Sequence, residues 1–179
     1  SLRRAVYLAT WTPPLPRDPV YSPTHHGVVR AKRQIITIHD LIPIRHPDQH
    51  RLQAEYYRHI LSRLVKRVDA VFTVSEVAKK EIEEFMHVRS ESVFVVPNGV
   101  DTTVFRPLAK EERRKDYLLM VGASYPHKNV EEVLRNSALW SRHFMLRIVA
   151  PPGPHVTTLR RLSEELGLQG RVDFVGAVK

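Results

Sequence analysis

The sequence contains no cysteine, so it forms neither a disulfide nor a thiolate-bound metal site. It also lacks an apolar run near the ~20 residues that a membrane-spanning helix needs. Acidic residues are few: 19 Asp and Glu stand against 28 Lys and Arg, and the net charge is +9. That balance favours nucleotides, phospholipid surfaces or nucleic acid as partners, although a solvated basic surface explains it equally well. Basic and aromatic residues are not interleaved, which argues against nucleic acid.

The 179 residues are organised around residues 93–107, VFVVPNGVDTTVFRP. The β-branched start of this stretch predicts a buried strand. Pro97-Asn98-Gly99 ends it, because proline cannot donate to a sheet and Asn-Gly tolerates positive φ. A polar, charged stretch follows until an apolar run restarts at Tyr117. This order is typical of a domain linker and predicts two domains, residues 1–106 and 107–179.

Strand-like and helix-like segments alternate on both sides of the linker, which predicts an α/β protein with parallel, doubly wound sheets. Residues 21–29 are predicted to be irregular. Strands are predicted at 5–9, 34–38, 70–74, 93–96, 116–121, 144–149 and 172–175. Helices are predicted at 48–68, 75–86, 129–140 and 155–166.

Three of these helices carry specific expectations. The first has an apolar stripe at four-residue spacing and basic residues on its other faces, which suit either solvent or an anionic membrane. The second is expected to begin at a Ser75 cap. In the third, Asn129 and Glu132 match a capping-box pattern. The apolar stripe of the first helix consists of Leu52, Tyr56, Ile60, Leu64 and Val68, with Leu61 and Val65 beside it.

His39 and Asp40 directly follow the strand predicted at 34–38. Ligands of open α/β sheets bind at the carboxyl ends of the strands, so both side chains are candidates to contact a substrate. A bond from His39 to a neighbouring backbone carbonyl is an equally good interpretation. His25 and His26 are adjacent, but no third ligand lies at a suitable spacing, so a metal site is not predicted.

A second candidate site is the loop 122–128, GASYPHK, between a strand and a helix. Free amides at a helix start and the charge of Lys128 favour binding of an anion such as phosphate. The loop has neither the Walker A frame nor the G-x-G-x-x-G pattern. An ordinary strand-to-helix turn with an exposed lysine is the alternative.

Six segments occur in the order and spacing typical of glycosyltransferase family 4, and the chain resembles that family from Tyr21 to Lys179. They are IITIHDLIP, DAVFTVSEVAKKEI, VFVVPNGVDTTVFRP, YLLMVGASYPHKNVEEVL, LRIVA and RVDFVGAV. The resemblance implies the GT-B fold, with two Rossmann-like domains that are both incomplete here. Residues 1–106 would be the C-terminal part of the acceptor-side domain, ending in the linker. Residues 107–179 would be the first part of the nucleotide-sugar donor domain.

The resemblance further implies a retaining glycosyltransferase that moves a sugar from a GDP- or UDP-sugar to a hydroxyl of a glycan or lipid-linked acceptor. Such a hexosyltransferase, of which mannosyltransferases are one kind, would need no cofactor and no essential metal. It would act in the cytoplasm, with peripheral contact at the inner face of an anionic membrane. Two alternatives share the fold: a sugar-nucleotide epimerase or glycogen-synthase-like relative, and a non-catalytic binding module.

The family's functional positions transfer to this sequence as expectations. His39, with its neighbour Asp40, is assigned the catalytic role, and Asn98 and Gly99 form the interdomain crossover. The donor diphosphate would be bound by Gly122, Ala123 and Lys128. The sequence departs from the family at Ala123, where many members carry arginine, and at His127, where many have arginine before the lysine. The family's E-x7-E segment and first glycine-rich loop fall outside residues 1–179, so this chain alone is expected not to transfer sugar.

Overall fold

The computed structural model describes residues 19–28, 31, 33–107 and 117–178. The chain separates into two compact units, Ser1–Asp101 and Thr102–Lys179, whereas the sequence placed the boundary between 106 and 107. Each unit contains one parallel sheet. The strand predicted at 5–9 lies outside the described residues.

Within the described residues, the sheet of the first unit has four parallel strands in the order β1-β2-β3-β4. They are β1 (Val20–Ser22), β2 (Gln34–Thr37), β3 (Ala70–Thr73) and β4 (Val93–Val95). The last three confirm predicted strands. β1 corrects the irregular structure expected for 21–29: pairing with β2, from Val20 opposite Gln34 to Ser22 opposite Ile36, supplies the hydrogen bonds of so short a strand.

The helices of this unit are α1 (Ile42–Arg45), α2 (Arg51–Tyr56) and α3 (Glu76–Met86). α2 continues through a π-helical turn, Tyr57–Leu61, into a short α-helical turn, Ser62–Leu64. The helix spanning 51–64 and α3 pack their apolar side chains onto the sheet. The resulting core contains Ile36, Ile38, Tyr57, Leu61, Leu64, Val71, Ile82, Met86 and Val93.

The buried face of the 51–64 helix matches the predicted stripe only in part. Leu61, Leu64 and Val65 are buried as predicted, whereas Leu52 is 61% exposed and Ile60 39% exposed, and Ala54 and Tyr57 are buried in their place. The physical reason is that a strict four-residue spacing drifts by about 40° per step around an α-helix of 3.6 residues per turn, so Leu52 and Leu64 cannot share one face. Ser75 was predicted correctly: its hydroxyl accepts a hydrogen bond from the Ala78 N–H at 3.2 Å and caps α3.

The second unit alternates three parallel strands with two helices, in the sheet order β5-β6-β7. The elements are β5 (Tyr117–Val121), α4 (Val130–Arg135), β6 (Met145–Val149), α5 (Pro154–Glu165) and β7 (Val172–Gly176). Its core forms where both helices meet the sheet, around Leu134, Leu146, Ile148 and Leu159. The predicted α/β class with parallel sheets is therefore confirmed.

The side-chain cap and the length of α4 were predicted wrongly. Asn129 stands at the N-cap position, but it adopts a left-handed conformation with φ 54° and makes no side-chain capping bond to the backbone. Its amide instead contacts the Glu132 carboxylate, which replaces the capping box. The helix ends at Arg135 rather than at residue 140, and Leu139 is 82% exposed in a separate 3₁₀ turn.

None of the helices in the described part of the chain is both long and apolar enough to cross a bilayer.

Candidate functional site

His39 lies at the carboxyl end of β2, at the sheet edge where the sequence predicted it. The Ile38 N–H donates to the Phe72 carbonyl at 2.8 Å and extends the pairing of β2 with β3 beyond the strand. His39 itself is exposed. Its Nε2 lies 3.2 Å from the Pro23 carbonyl oxygen. The imidazole thus bonds a backbone carbonyl, as one of the two interpretations predicted. It is also exposed, as the other interpretation, contact with a substrate, requires.

Asp40 is exposed and lies two residues before the start of α1. Its Oδ1 accepts a hydrogen bond from the Ile42 N–H at 3.0 Å, the local turn that aspartate often makes with the backbone two residues on. Pro43, in the first turn of α1, needs no such acceptor because it has no N–H. One carboxylate oxygen of Asp40 therefore has a structural role, and a catalytic role for this residue stays a prediction.

The 23–28 loop lies against His39, and polar side chains hold its backbone. The Ser22 hydroxyl donates to the His26 carbonyl at 2.7 Å. The Tyr56 hydroxyl donates to the His25 carbonyl at 3.1 Å, across 31 residues of sequence. These bonds tie the loop to the end of β1 and to the 51–64 helix.

The inner end of the same loop is closely packed. The Gln34 amide makes two hydrogen bonds to Val28. Gly27 is buried, and a Cβ built on it would lie 2.7 Å from a Leu64 methyl and 3.1 Å from a methyl of Ile36. Only glycine fits here without displacing its neighbours, so the loop has little freedom to shift.

The loop also brings two histidines next to two tyrosines. The His25 ring centroid lies 4.0 Å from that of His26 and 5.0 Å from that of Tyr57, while His26 stacks on Tyr56 at 5.4 Å. Burial, together with nearby His26 and His39, lowers the pKa of His25 to about 4. Burial raises the pKa of Tyr56 to about 12 and, with Asp40 nearby, also raises the pKa of Tyr57. The His25 imidazole and the two tyrosine hydroxyls are therefore uncharged near pH 7.

Asn98 and Gly99 follow β4 and are exposed. The Val96 N–H donates to the Thr73 carbonyl at 2.7 Å and ends the pairing with β3. Neither Asn98 nor Gly99 adopts positive φ, so the conformational freedom that the sequence suggested for this dipeptide is not used. Both residues lie at the same sheet edge as His39, one strand removed from it, since β3 separates β2 from β4.

In the second unit, Gly122 and Ala123 follow β5. The Gly122 N–H donates to the Val149 carbonyl at 2.9 Å, and its φ of 83° lies in the region that favours glycine. Ala123 is completely buried in the core with Val130 and Leu134. Its side chain therefore contributes packing, and only its backbone remains available for the predicted diphosphate contact.

Lys128 ends a 3₁₀ turn, Pro126–Lys128, in which its N–H donates to the Tyr125 carbonyl at 3.1 Å. The side chain is exposed, and no ion pair or side-chain hydrogen bond occupies its ammonium group within the described residues. In the same turn, the rings of Tyr125 and His127 stack on each other with their centroids 5.7 Å apart. The ammonium group can therefore contact an anion. The six-residue α4 is too short to strengthen this site substantially through its dipole.

Where the chain is described, no three His, Cys, Asp or Glu side chains are grouped so as to hold a metal ion. His39, Asp40, Asn98 and Gly99 belong to the first unit, and Gly122, Ala123 and Lys128 to the second. Within the first unit, the structure brings His39 together with His25 and Pro23.

The sequence matches a known family over its first unit and the start of the linker. Residues 18–104 match the model of Glycosyltransferase Family 4. The chain is also 34% identical over 155 residues to the O-antigen chain mannosyltransferase RfbU of Salmonella typhimurium, a match that covers 87% of this chain and 43% of RfbU. Over these residues the chain is similar to glycosyltransferase family 4.

More distant relatives point to the same class of enzyme. The phosphatidylinositol N-acetylglucosaminyltransferase GPI3 subunit of Saccharomyces cerevisiae is 24% identical over 167 residues, which cover 86% of this chain and 36% of that protein. The crystal structure of Anabaena HepE in complex with UDP-glucose superposes with a TM-score of 0.69 at 18% identity, covering 90% of this chain and 49% of HepE. The predicted GT-B fold class is confirmed. The chain spans less than half the length of each of these three proteins.

The sequence alone did not predict that the 23–28 loop and Tyr56 belong to the surroundings of His39. His25 and His26 were considered only as metal ligands, because metal sites have a recognisable spacing of ligands along the sequence. A contact between a histidine and a distant tyrosine has no such spacing. The one available signal was Gly27, a glycine within an otherwise polar loop. The roles assigned to the individual site residues stay predictions.

Proposed function

We propose that the natural full-length protein is a retaining glycosyltransferase that moves a hexose from a GDP- or UDP-sugar to a hydroxyl of a glycan or lipid-linked acceptor. The observation that carries this proposal is the 34% identity to the mannosyltransferase RfbU across most of the chain. It makes mannose the first sugar to test. HepE, which was crystallised with UDP-glucose, makes glucose the second.

The geometry supports this function on both units. Lys128 presents an exposed cation after β5, where it can neutralise charge developing on a leaving diphosphate. His39 presents an imidazole at the carboxyl edge of the other sheet. We propose that Asn98 and Gly99 form the crossover between an acceptor-side domain and a donor domain, and that no metal ion is required for transfer.

The test is sugar transfer by the full-length protein, with GDP-mannose and UDP-glucose each offered together with membrane-extracted glycolipid acceptors. Mass spectrometry of the products should show one added hexose from one donor, and the anomeric configuration should be that of the donor. Turnover should survive EDTA. Hydrolysis or epimerisation of the donor without an added hexose would support an epimerase, and tight donor binding without turnover would support a binding module.

We further propose that the protein acts in the cytoplasm and touches the inner face of an anionic membrane through the 51–64 helix. That helix exposes Leu52, Ile60 and the basic residues Arg51 and Arg63, an arrangement suited to anionic lipid surfaces. Sedimentation with phosphatidylglycerol-containing vesicles, compared with phosphatidylcholine alone, tests it.

The double substitution Leu52→Ser with Arg63→Ser should weaken vesicle binding. Val77→Ser with Lys80→Ser, which removes an exposed apolar and an exposed basic side chain from α3, is the matched control and should leave binding unchanged. Equal binding by both double variants would exclude this surface.

A further inference from the structure

We propose that the 23–28 loop is a positioning device for His39. Ser22, Gln34 and Tyr56 hold the loop, and the loop selects the tautomer in which Nε2 of His39 carries the proton. Nδ1 is then left to accept a hydrogen bond from a hydroxyl of the substrate. The assignment of a hydroxyl as its partner rests on the proposed sugar transfer, whereas the tautomer follows from the contacts of the loop alone.

The tautomer follows from the contact between His39 and Pro23. Nε2 of His39 lies 3.2 Å from the Pro23 carbonyl oxygen. A carbonyl oxygen can only accept a hydrogen bond, so Nε2 must donate and must carry a proton. In the neutral imidazole, Nδ1 then has a free lone pair and acts as an acceptor. A neutral hydrogen-bond acceptor suits a hydroxyl of the sugar or of the molecule that receives it. It does not suit a fully ionised phosphate, which has no proton to donate.

The position of the Pro23 carbonyl depends on the rest of its loop. Each of the next three carbonyls lies within hydrogen-bond distance of a side-chain hydroxyl outside the loop. The Tyr56 hydroxyl donates to His25, and the Ser22 hydroxyl lies 2.7 Å from the His26 carbonyl and 3.1 Å from that of Thr24. The buried Gln34 amide fixes Val28 at the other end. Peptide planes are rigid, so fixing these neighbours also limits the direction in which the Pro23 carbonyl can point.

Tyr56 contributes most to this arrangement because it holds the loop in two ways. Its hydroxyl bonds the backbone at His25, and its ring stacks on the His26 ring with centroids 5.4 Å apart and an interplanar angle of 30°. Tyr56 also belongs to the last turn of α2, immediately before the π-helical turn. The helix therefore sets where the loop lies, and the loop sets how His39 is oriented.

The test compares Tyr56→Phe with wild type in the full-length protein by ¹⁵N-edited NMR of the histidine side chains. In the wild type, His39 should show the Nε2–H tautomer at neutral pH. In Tyr56→Phe a population with the proton on Nδ1 should appear. With donor and acceptor present, kcat should fall about two- to tenfold, the range expected for one lost hydrogen bond. The KM for the donor should change less than about twofold, since this bond does not involve the donor.

Tyr21→Phe is the matched control. It also removes a phenolic hydrogen bond, the one of 3.1 Å between the Tyr21 and Thr37 hydroxyls. That bond involves no residue of the 23–28 loop. Its NMR spectrum and kcat should match the wild type. Ser22→Ala, which removes the bond to the His26 carbonyl, should shift the His39 tautomer in the same direction as Tyr56→Phe. Thermal unfolding should show that all three variants remain folded.

Two results would overturn the proposal: a wild-type His39 with its proton on Nδ1, or a Tyr56→Phe variant indistinguishable from Tyr21→Phe in tautomer and kcat. If the protein transfers no sugar at all, the proposed function fails, and the NMR comparison still decides whether the loop positions His39.

Discussion

The side chain of Gln34 forms two hydrogen bonds with one residue, Val28. Its Nε2 donates to the Val28 carbonyl at 2.8 Å, and its Oε1 accepts from the Val28 N–H at 3.0 Å. Gln34 is 1% exposed, so these bonds replace water for both backbone groups. Gln34, the first residue of β2, thus anchors the Val28 end of the 23–28 loop. The Pro23 end of the same loop contacts His39.

Replacing this amide by an apolar group of similar size should be costly. Gln34→Leu leaves the half-buried Val28 N–H without this partner, whereas the Val28 carbonyl keeps its bond from the Ala31 N–H at 3.1 Å. One unsatisfied group of this kind costs about 1–3 kcal/mol, so we expect the free energy of unfolding to fall by about 1–3 kcal/mol, measured by urea denaturation. Gln53→Leu, at an exposed position of α2, should change it by no more than about 0.5 kcal/mol. A similar loss in both variants would show that the two bonds to Val28 do not matter.

Gly27→Ala should destabilise the protein through crowding. The added methyl would lie 2.7 Å from a Leu64 methyl and 2.8 Å from the side-chain amide oxygen Oε1 of Gln34. Such overpacking typically costs about 1–3 kcal/mol. Gly99→Ala serves as the control, since a methyl there meets nothing within 4 Å in the described structure and its φ is not positive. Equal melting temperatures for the two variants would contradict the packing described around Gly27.

Lys128→Ala should weaken nucleotide binding. Loss of a charge-assisted hydrogen bond of about 1.5–3 kcal/mol corresponds to a roughly ten- to hundredfold rise in Kd. Titration calorimetry of the full-length protein with UDP and with GDP measures it and identifies the preferred base. Arg142→Ala removes another exposed cation from the same unit and should leave the Kd unchanged. A Kd insensitive to Lys128 would place the diphosphate elsewhere.

His39→Ala should reduce turnover far more than donor binding. Removing a side chain that assists at the reacting hydroxyl typically costs about a hundredfold or more in kcat. The Kd for the nucleotide should stay within about threefold of the wild type, because the proposed diphosphate contact is Lys128, which belongs to the other unit. His59→Ala, at an exposed position of the 51–64 helix, is the control for both measurements. Loss of donor affinity with unchanged kcat would reverse the assignment.

Acidification should destabilise the protein through His25. Its pKa is lowered from 6.5 to about 4 in the folded state, chiefly by burial. Between these two pH values the unfolded chain binds more protons, so stability falls as the pH drops from about 6.5 towards 4 and is fully regained above that window. Melting temperatures at pH 7.5 and pH 5 measure this slope.

His25→Asn should flatten the slope, because the substituted side chain does not titrate. His87→Asn replaces an exposed histidine whose left-handed φ of 52° asparagine tolerates, and it should leave the slope unchanged. A slope that persists in His25→Asn would mean that other groups cause the acid sensitivity.

The sequence predicted most of the fold because most elements have a local signal. The β-branched runs that form β2, β3 and β4 and the apolar runs of the second unit were identified within a residue or two. Ser75 was recognised as a cap because its bond to Ala78 spans only three residues. The α/β class followed from this alternation without any knowledge of long-range contacts.

The errors arose where tertiary contacts decide the outcome. β1 has three residues and gains its hydrogen bonds from β2, which no local pattern records. Asn129 matched a capping box, but it takes a left-handed φ and its amide meets the Glu132 side chain. The surroundings of His39 depend on a bond between His25 and Tyr56, 31 positions apart. Sequence alone located His39 at the sheet edge and left its partners unknown.

The π-helical turn at Tyr57–Leu61 makes the chain tolerant of a deletion at one specific point. A π-turn holds one residue more than an α-helix needs, so deletion of Arg58 would let the 51–64 helix close into an unbroken α-helix. Because the removed residue is the surplus one, Tyr56 on one side and Leu61 on the other would keep their places. A deletion from a regular α-helix would instead rotate one side by about 100° around the helix axis. The length of the 51–64 helix can therefore change by one residue here without disconnecting Tyr56 from the histidine loop.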